Sequence, residues 1–188
     1  LEEEEVGQWI DRMDTILLGP GMGRDEQAGR KVNRMVRQNK QKRVVLDADA
    51  LAVVEPTLLH KNCVVTPHRN EFKELFGCSP SIKNMVRMSQ RHNDCVIVLK
   101  GNPDHIVQGE EVKKNVVGNA GMTKGGTGDV LAGLIAALAT KNDLFLASRA
   151  GVFLNGAAGE SLAEKVSYYY SASDLVKETP KIFKKYQP

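Results

Sequence analysis

The sequence predicts a single three-layer α/β/α sandwich around a mainly parallel central sheet, and three observations carry that prediction. Short, β-branched-rich apolar runs alternate with amphipathic stretches. The runs are near-continuous, as strands covered on both faces are. At 188 residues the chain is long enough for one sizeable core and short for two.

In chain order the expected strands are Thr15-Ile16-Leu17-Leu18, Val44-Val45-Leu46, Cys63-Val64-Val65 and Val96-Ile97-Val98-Leu99. Between the first two, residues 25–40 place Ala28, Val32, Met35 and Val36 on one stripe among Arg, Lys, Gln and Asn, the pattern of a surface helix over a sheet. Its basic cluster (Arg30, Lys31, Arg34, Arg37, Lys40) reads as a solvated face or as a nucleic-acid patch. The absence of aromatics there favours the first. Residues 71–76 begin another helix, and residues 81–91 form one more after Pro80. His105-Ile106-Val107, the turn Gln108-Gly109-Glu110 and residues 112–117 read as a hairpin, so the sheet gains antiparallel strands late. Residues 130–139 are apolar almost all round, a helix buried in the core. Residues 146–165 carry Ala147, Ala150, Gly151, Ala157, Ala158 and Gly159, which permit close packing in the core or at an interface.

Composition narrows the function classes. The chain is 41% hydrophobic and 26% charged with a net charge of +3, a globular balance too weakly basic to argue for nucleic acid. Its strictly apolar stretches are far shorter than the ~20 residues of a membrane span. Cys63, Cys78 and Cys95 are odd in number and form no C-x-x-C, so neither a disulfide framework nor a zinc site is expected, and a cytoplasmic setting is.

The most informative motif runs from Asn119 through Gly125-Gly126-Thr127-Gly128-Asp129 into the buried helix. Its glycines allow a close backbone approach, and the helix start offers unpaired N–H groups to an anion. It is not a P-loop, since no Gly-Lys-Ser/Thr follows at the required spacing. Asp129 suits a base that takes a proton from an attacking hydroxyl, or caps the helix. A second Gly-rich turn, Gly19-Pro20-Gly21-Met22-Gly23, follows the first strand at the carboxyl edge, where α/β sheets bind ligands. Asp47 and Asp49 follow the second strand, and bracing of a loop is expected of at least one. His68 and Glu71 follow the third. Glu71 holds a water on Mg²⁺ or complements the helix dipole. Lys100-Gly101-Asn102-Pro103-Asp104 follows the fourth strand, placed to meet a nucleotide's phosphates or base, or to form a surface turn.

Taken in order, Gly-Pro-Gly-Met-Gly, Leu-Asp-Ala-Asp-Ala-Leu, Thr-Pro-His-x-x-Glu-Phe, Leu-Lys-Gly, Gly-Met-Thr-x-Gly-Gly-Thr-Gly-Asp-Val-Leu-Ala-Gly and Ser-Ala-Ser-Asp-Leu resemble the NAD(P)H-hydrate dehydratase family of the ribokinase-like superfamily. The match runs from about Leu17 to Leu175. The resemblance implies a metabolite-repair lyase. ATP or ADP phosphorylates the ring hydroxyl of hydrated NADH or NADPH, phosphate leaves, and the dihydronicotinamide returns. It implies Asp129 as base, with the N–H groups of Gly126, Thr127 and Gly128 steadying the transferred phosphoryl group. Gly21, Gly23, His68 and Asp129 are then expected against the hydrated dinucleotide. Lys100, Gly101, Asn102, Pro103, Asp104 and Gly128 are expected against the adenine nucleotide, and Glu71 acts indirectly through Mg²⁺. A fused or separate NAD(P)H-hydrate epimerase and a homo-oligomer complete the expected partners, without nucleic acid or membrane. The alternatives are a ribokinase-like kinase for a sugar or vitamin-precursor alcohol and a non-catalytic nucleotide-binding module.

Two departures stand out. The family's usual Pro-His-Pro-Gly-Glu is here Pro67-His68-Arg69-Asn70-Glu71, and Thr123-Lys124 replaces the usual Ala-Thr or Thr-Val. Lys124 is expected beside the phosphate path or facing solvent. Family members carry a substantial segment before the first Gly-rich turn, whereas residues 1–16 precede it here, so the resemblance implies a domain without its N-terminal portion.

Overall fold

The computed structural model describes residues 3–186. Helix α1 (Glu3–Arg12) leads to β1 (Thr15–Leu18), α2 (Glu26–Gln38), β2 (Arg43–Leu46), the short α3 (Asp49–Val53), β3 (Cys63–Val65), α4 (Arg69–Phe76), α5 (Ile82–Arg91) and β4 (Val96–Leu99). The hairpin of β5 (Asp104–Gln108) and β6 (Glu111–Asn115) follows, then α6 (Thr127–Ala139), α7 (Leu144–Val166) and α8 (Ala172–Tyr186). One six-stranded sheet runs β1-β2-β3-β4-β5-β6. The first four strands are parallel, and β5 and β6 antiparallel.

The two-residue strand period sorts the core into two layers. Val44, Leu46, Cys63, Val65 and Ile97 face α2–α5, where Val32, Val36, Phe72 and Met85 close the layer. Val45, Val64, Val96 and Val98 face the opposite side and meet Leu131, Ile135 and Phe145 of α6 and α7. Burying a side chain such as Phe72 fully is worth roughly 1.5–3 kcal/mol, and this doubling of the core is what a parallel sheet requires. A third apolar cluster binds α7 to α8 through Leu154, Leu162, Leu175 and Ile182.

Three details differ from the sequence expectations. Among the described residues strand β1 pairs with β2 alone at the sheet's edge, and Thr15 and Leu17 are only half-buried, although Leu17 packs against the layer of α6. Helix α8 was not anticipated; Pro180 interrupts its pattern, and contact with α7 holds it. The small residues of α7 are spent inside the fold. A Cβ at Gly151 would lie 2.7 Å from Ile135 Cγ1, one at Gly156 2.3 Å from Val117 O, and one at Gly159 2.6 Å from Met122 Sδ. No helix among the described residues is long and apolar enough to cross a membrane.

Candidate active site

Four strand ends and the start of α6 meet at the carboxyl edge of the sheet. After β1 the backbone turns at Gly19, whose φ of +128° and whose Cβ position, 1.7 Å from Asp47 O, both exclude a side chain. The turn is closed by Asp49, whose carboxylate accepts from Gly23 N at 3.0 Å and Arg24 Nε at 2.7 Å. The Arg24 hydrogen bond holds the Asp49 carboxyl below its ordinary range. Asp49 is therefore the expected brace.

Asp47 has a different partner. It is 1% exposed, and Lys100 Nζ donates to it at 2.7 Å. Lys100 also lies 3.9 Å from Glu71, and its backbone N–H donates to Pro67 O. Lys100 is thus a half-buried ion-pair member joining the ends of β2, β3 and β4, not a surface-turn residue. His68 caps α4: its Nδ1 accepts from Asn70 N and Glu71 N, while Glu71 Oε2 accepts from His68 N at 2.7 Å. Arg69 and Asn70 preserve this capping box without the family's usual Pro-Gly turn.

The loop into α6 is held from within. Thr127 Oγ1 donates to Met122 O and Lys124 O, and Thr127 N donates to Lys124 O at 3.3 Å. Of the three amides expected to face a phosphoryl group, Thr127's is thereby already engaged. Lys124 is exposed, as one of the two expectations has it, and also borders the cavity described below. Its ammonium turns back onto the carbonyls of Tyr168 and Tyr170 and sits 4.9 Å from the Tyr170 ring centroid. Gly126, with φ of +85°, occupies the N-cap of α6 and offers no side-chain cap. Asp129 is exposed in the first turn and makes no hydrogen bond or ion pair among the described residues, so capping does not explain it. A Cβ at Gly128 would lie 3.5 Å from Lys100 Nζ and 3.6 Å from Asp47 Oδ2, which sets the helix start against the buried ion pair.

Beside this junction lies a cavity of about 610 Å³, a size that suits a nucleotide. The structure brings His68, Lys100, Gly101, Asn102, Asp104, Thr127 and Gly128 to its wall. Gly21, Gly23, Glu71, Gly126 and Asp129 do not line it; Glu71 approaches through Lys100, and Gly126 and Asp129 flank Gly128. Pro103 lines a smaller neighbouring hollow of about 300 Å³. Asp104 is occupied with its own turn, accepting from Gly101 N and Asn115 Nδ2, and burial raises its carboxyl above the ordinary range. Sequence reasoning missed Val152 and Asn155 as wall residues, whereas Asn119 and Met122, also on the wall, lie in the motif it singles out. An Asn within the small-residue stripe of α7 was the available signal. Among the described residues no cluster of three acidic, His or Cys side chains forms a metal cage.

A parallel sheet with a late antiparallel hairpin, and a Gly-Gly-Thr-Gly-Asp loop opening a buried helix beside a nucleotide-sized cavity, define a ribokinase-like α/β protein. A solved ribokinase-like superfamily protein from Enterococcus faecalis matches it at TM-score 0.88 and 29% identity, over 98% of this chain and 68% of that one. The sequence profile of the NAD(P)H-hydrate dehydratase family matches residues 1–181, and the chain belongs to that family. It is 40% identical over 177 residues to the bifunctional NAD(P)H-hydrate repair enzyme Nnr of Archaeoglobus fulgidus, covering 94% of this chain and 36% of that protein. The chain thus spans about a third of that relative. The ADP/ATP-dependent NAD(P)H-hydrate dehydratase of Bacillus subtilis, co-crystallised with ATP/Mg²⁺ and soaked with CoA, superposes at TM-score 0.80 with 27% identity, over 93% of this chain and 67% of that one.

Proposed function

We propose that this chain carries the nucleotide-dependent dehydration of hydrated NADH or NADPH. The observation that supports it most is Asp129, an exposed carboxylate without a partner, one residue from the cavity wall at the start of α6. In this reading Asp129 takes the proton of the ring hydroxyl, whose oxygen attacks the terminal phosphorus of ADP or ATP. The bond from that phosphorus to the departing nucleotide breaks. The amides of Gly126 and Gly128 and the Lys100 ammonium steady the charge. Phosphate then leaves with the former hydroxyl oxygen, a ring proton is lost, and the double bond returns.

Lys100, Gly101, Asn102, Asp104 and Gly128 serve the adenine nucleotide, with Pro103 shaping the turn. Gly21 and Gly23, beside the cavity, and His68, on its wall, serve the hydrated dinucleotide. Mg²⁺, when bound, neutralises phosphate charge; Glu71, already committed to His68, reaches it only through water. The B. subtilis dehydratase is ADP/ATP-dependent and the A. fulgidus relative bifunctional, which supports either nucleotide as donor and an epimerase partner in the same reading.

The test is recovery of dihydronicotinamide absorbance from hydrated NADH or NADPH with ADP, with ATP and without nucleotide. Recovery that requires either nucleotide is expected. Phosphorylation of a sugar or vitamin-precursor alcohol, with no recovery, would replace this reading with a kinase.

A further inference from the structure

Beside the large cavity lies the hollow of about 300 Å³, and the two share Lys100, Gly101 and Asn102 as a dividing wall. The reaction proposed above needs two ligands at once, an adenine nucleotide and a hydrated dinucleotide. A cavity of about 610 Å³ suits one nucleotide, so much of the dinucleotide must lie outside it. His68, placed against the dinucleotide above, stands on the cavity wall, and the next residue, Arg69, lines the hollow.

The hollow's lining suits an anion. Among the described residues no Asp or Glu belongs to it. Arg69 is exposed at the first position of α4, and its side chain makes no hydrogen bond or ion pair among the described residues. The capping box of that helix is made by His68 and Glu71, so the fold does not use the guanidinium. On the same lining, Ser81 Oγ accepts from Asn84 N at 3.2 Å, which leaves its hydroxyl hydrogen to donate. Lys100, by contrast, is committed to Asp47. Ile82, 40% exposed, and the buried Met85 give the hollow an apolar side on which a ribose or base can rest.

We infer that this hollow binds a phosphate group of the hydrated dinucleotide, with Arg69 as its principal donor and the Ser81 hydroxyl as a second. This rests on the dehydratase reading above. A planar guanidinium takes two phosphate oxygens at once, which an ammonium does not. Two groups of the substrate have the required chemistry: the diphosphate bridge, common to both cofactors, and the 2′-phosphate, which NADPH carries and NADH lacks. Either one, held at Arg69, anchors the substrate one residue along the chain from His68 and outside the space that the nucleotide fills.

The test is the KM of wild type, Arg69→Met and Arg69→Lys for hydrated NADPH, for hydrated NADH and for ADP. Arg69→Met is expected to raise the hydrate KM about five- to tenfold, the low end for a hydrogen bond to a charged group because Arg69 is exposed, while the ADP KM stays within about twofold. A rise for hydrated NADPH alone assigns the hollow to the 2′-phosphate, and a rise for both hydrates assigns it to the diphosphate. Arg69→Lys, which keeps the charge without the fork, is expected to fall between wild type and Arg69→Met. Should Arg69→Met fail to fold, Arg69→Gln carries the same test. Hydrate KM values that do not move, or a rise confined to ADP, overturn the inference and leave the dehydratase reading intact. If wild type recovers no dihydronicotinamide, that reading fails, and NADPH binding read by its own fluorescence decides the hollow. Weaker binding by Arg69→Met than by wild type then sustains a phosphate site there; equal binding, or none to wild type, overturns it.

Discussion

The two Gly-rich loops sit at the same edge of the sheet, yet they use their carboxylates in opposite ways. In the first, Asp49 gives both oxygens to the loop itself, one to Gly23 N and one to Arg24. In the second, Asp129 gives none, and the loop is closed by the Thr127 hydroxyl and by Lys124 reaching the carbonyls of Tyr168 and Tyr170. One loop is internally satisfied; the other is held from behind, with its carboxylate and leading amides left open. A charged group whose fold does not need it is the better candidate for chemistry.

The largest stability contrast expected is between glycines. Gly19→Ala forces a Cβ to within 1.7 Å of Asp47 O at a φ that L-residues avoid, and should cost at least ~3 kcal/mol in denaturant unfolding. Gly125→Ala meets nothing within 4 Å and should stay within ~0.5 kcal/mol of wild type. Equal losses would show that the loops do not differ as described.

Next in size is the ion pair behind both loops. Lys100→Met strands the buried Asp47 carboxylate and should cost about 3 kcal/mol, the lower end for a broken buried pair because Lys100 is partly exposed. Asp47→Asn with Lys100→Met should recover part of that loss. No recovery would mean that Lys100 acts in folding through something other than its charge.

The smallest effect comes from groups away from both loops. Burial holds the His60 and His92 imidazoles below their ordinary value of 6.5, so the unfolded chain binds protons more readily than the folded one. Their contribution is full above pH 6.5 and is lost as pH falls below it. Hydrogen bonds from Lys165, Lys181 and Ser161 hold Glu178 at about 2 against an ordinary 4.5. Its contribution is present above 4.5 and is lost as pH falls toward 2. Melting temperature should therefore decline gently from pH 7 to 5 and more steeply below 4.5. A profile flat across that range would contradict both assignments.

Much of this molecule is legible in one dimension. Buried parallel strands announce themselves at Val44–Leu46 and Val96–Leu99, because both faces must be apolar. The α2 stripe falls on Ala28, Val32 and Val36 as its spacing requires. Loop glycines and Asp129 are equally visible, since their chemistry depends on local order. What escaped depends on contacts distant in sequence. Lys124 is steered by carbonyls 44 and 46 residues away, and α8 is secured by α7 despite Pro180.

The comparison of the loops comes down to Asp129→Asn, assayed for adenine-nucleotide binding and for recovery of dihydronicotinamide from the hydrate. Binding within about twofold of wild type, an unchanged melting temperature and turnover reduced by at least ~10²-fold are expected, the scale of a lost general base. Turnover within a few-fold of wild type would remove Asp129 from the chemistry and leave the second loop a binding element alone.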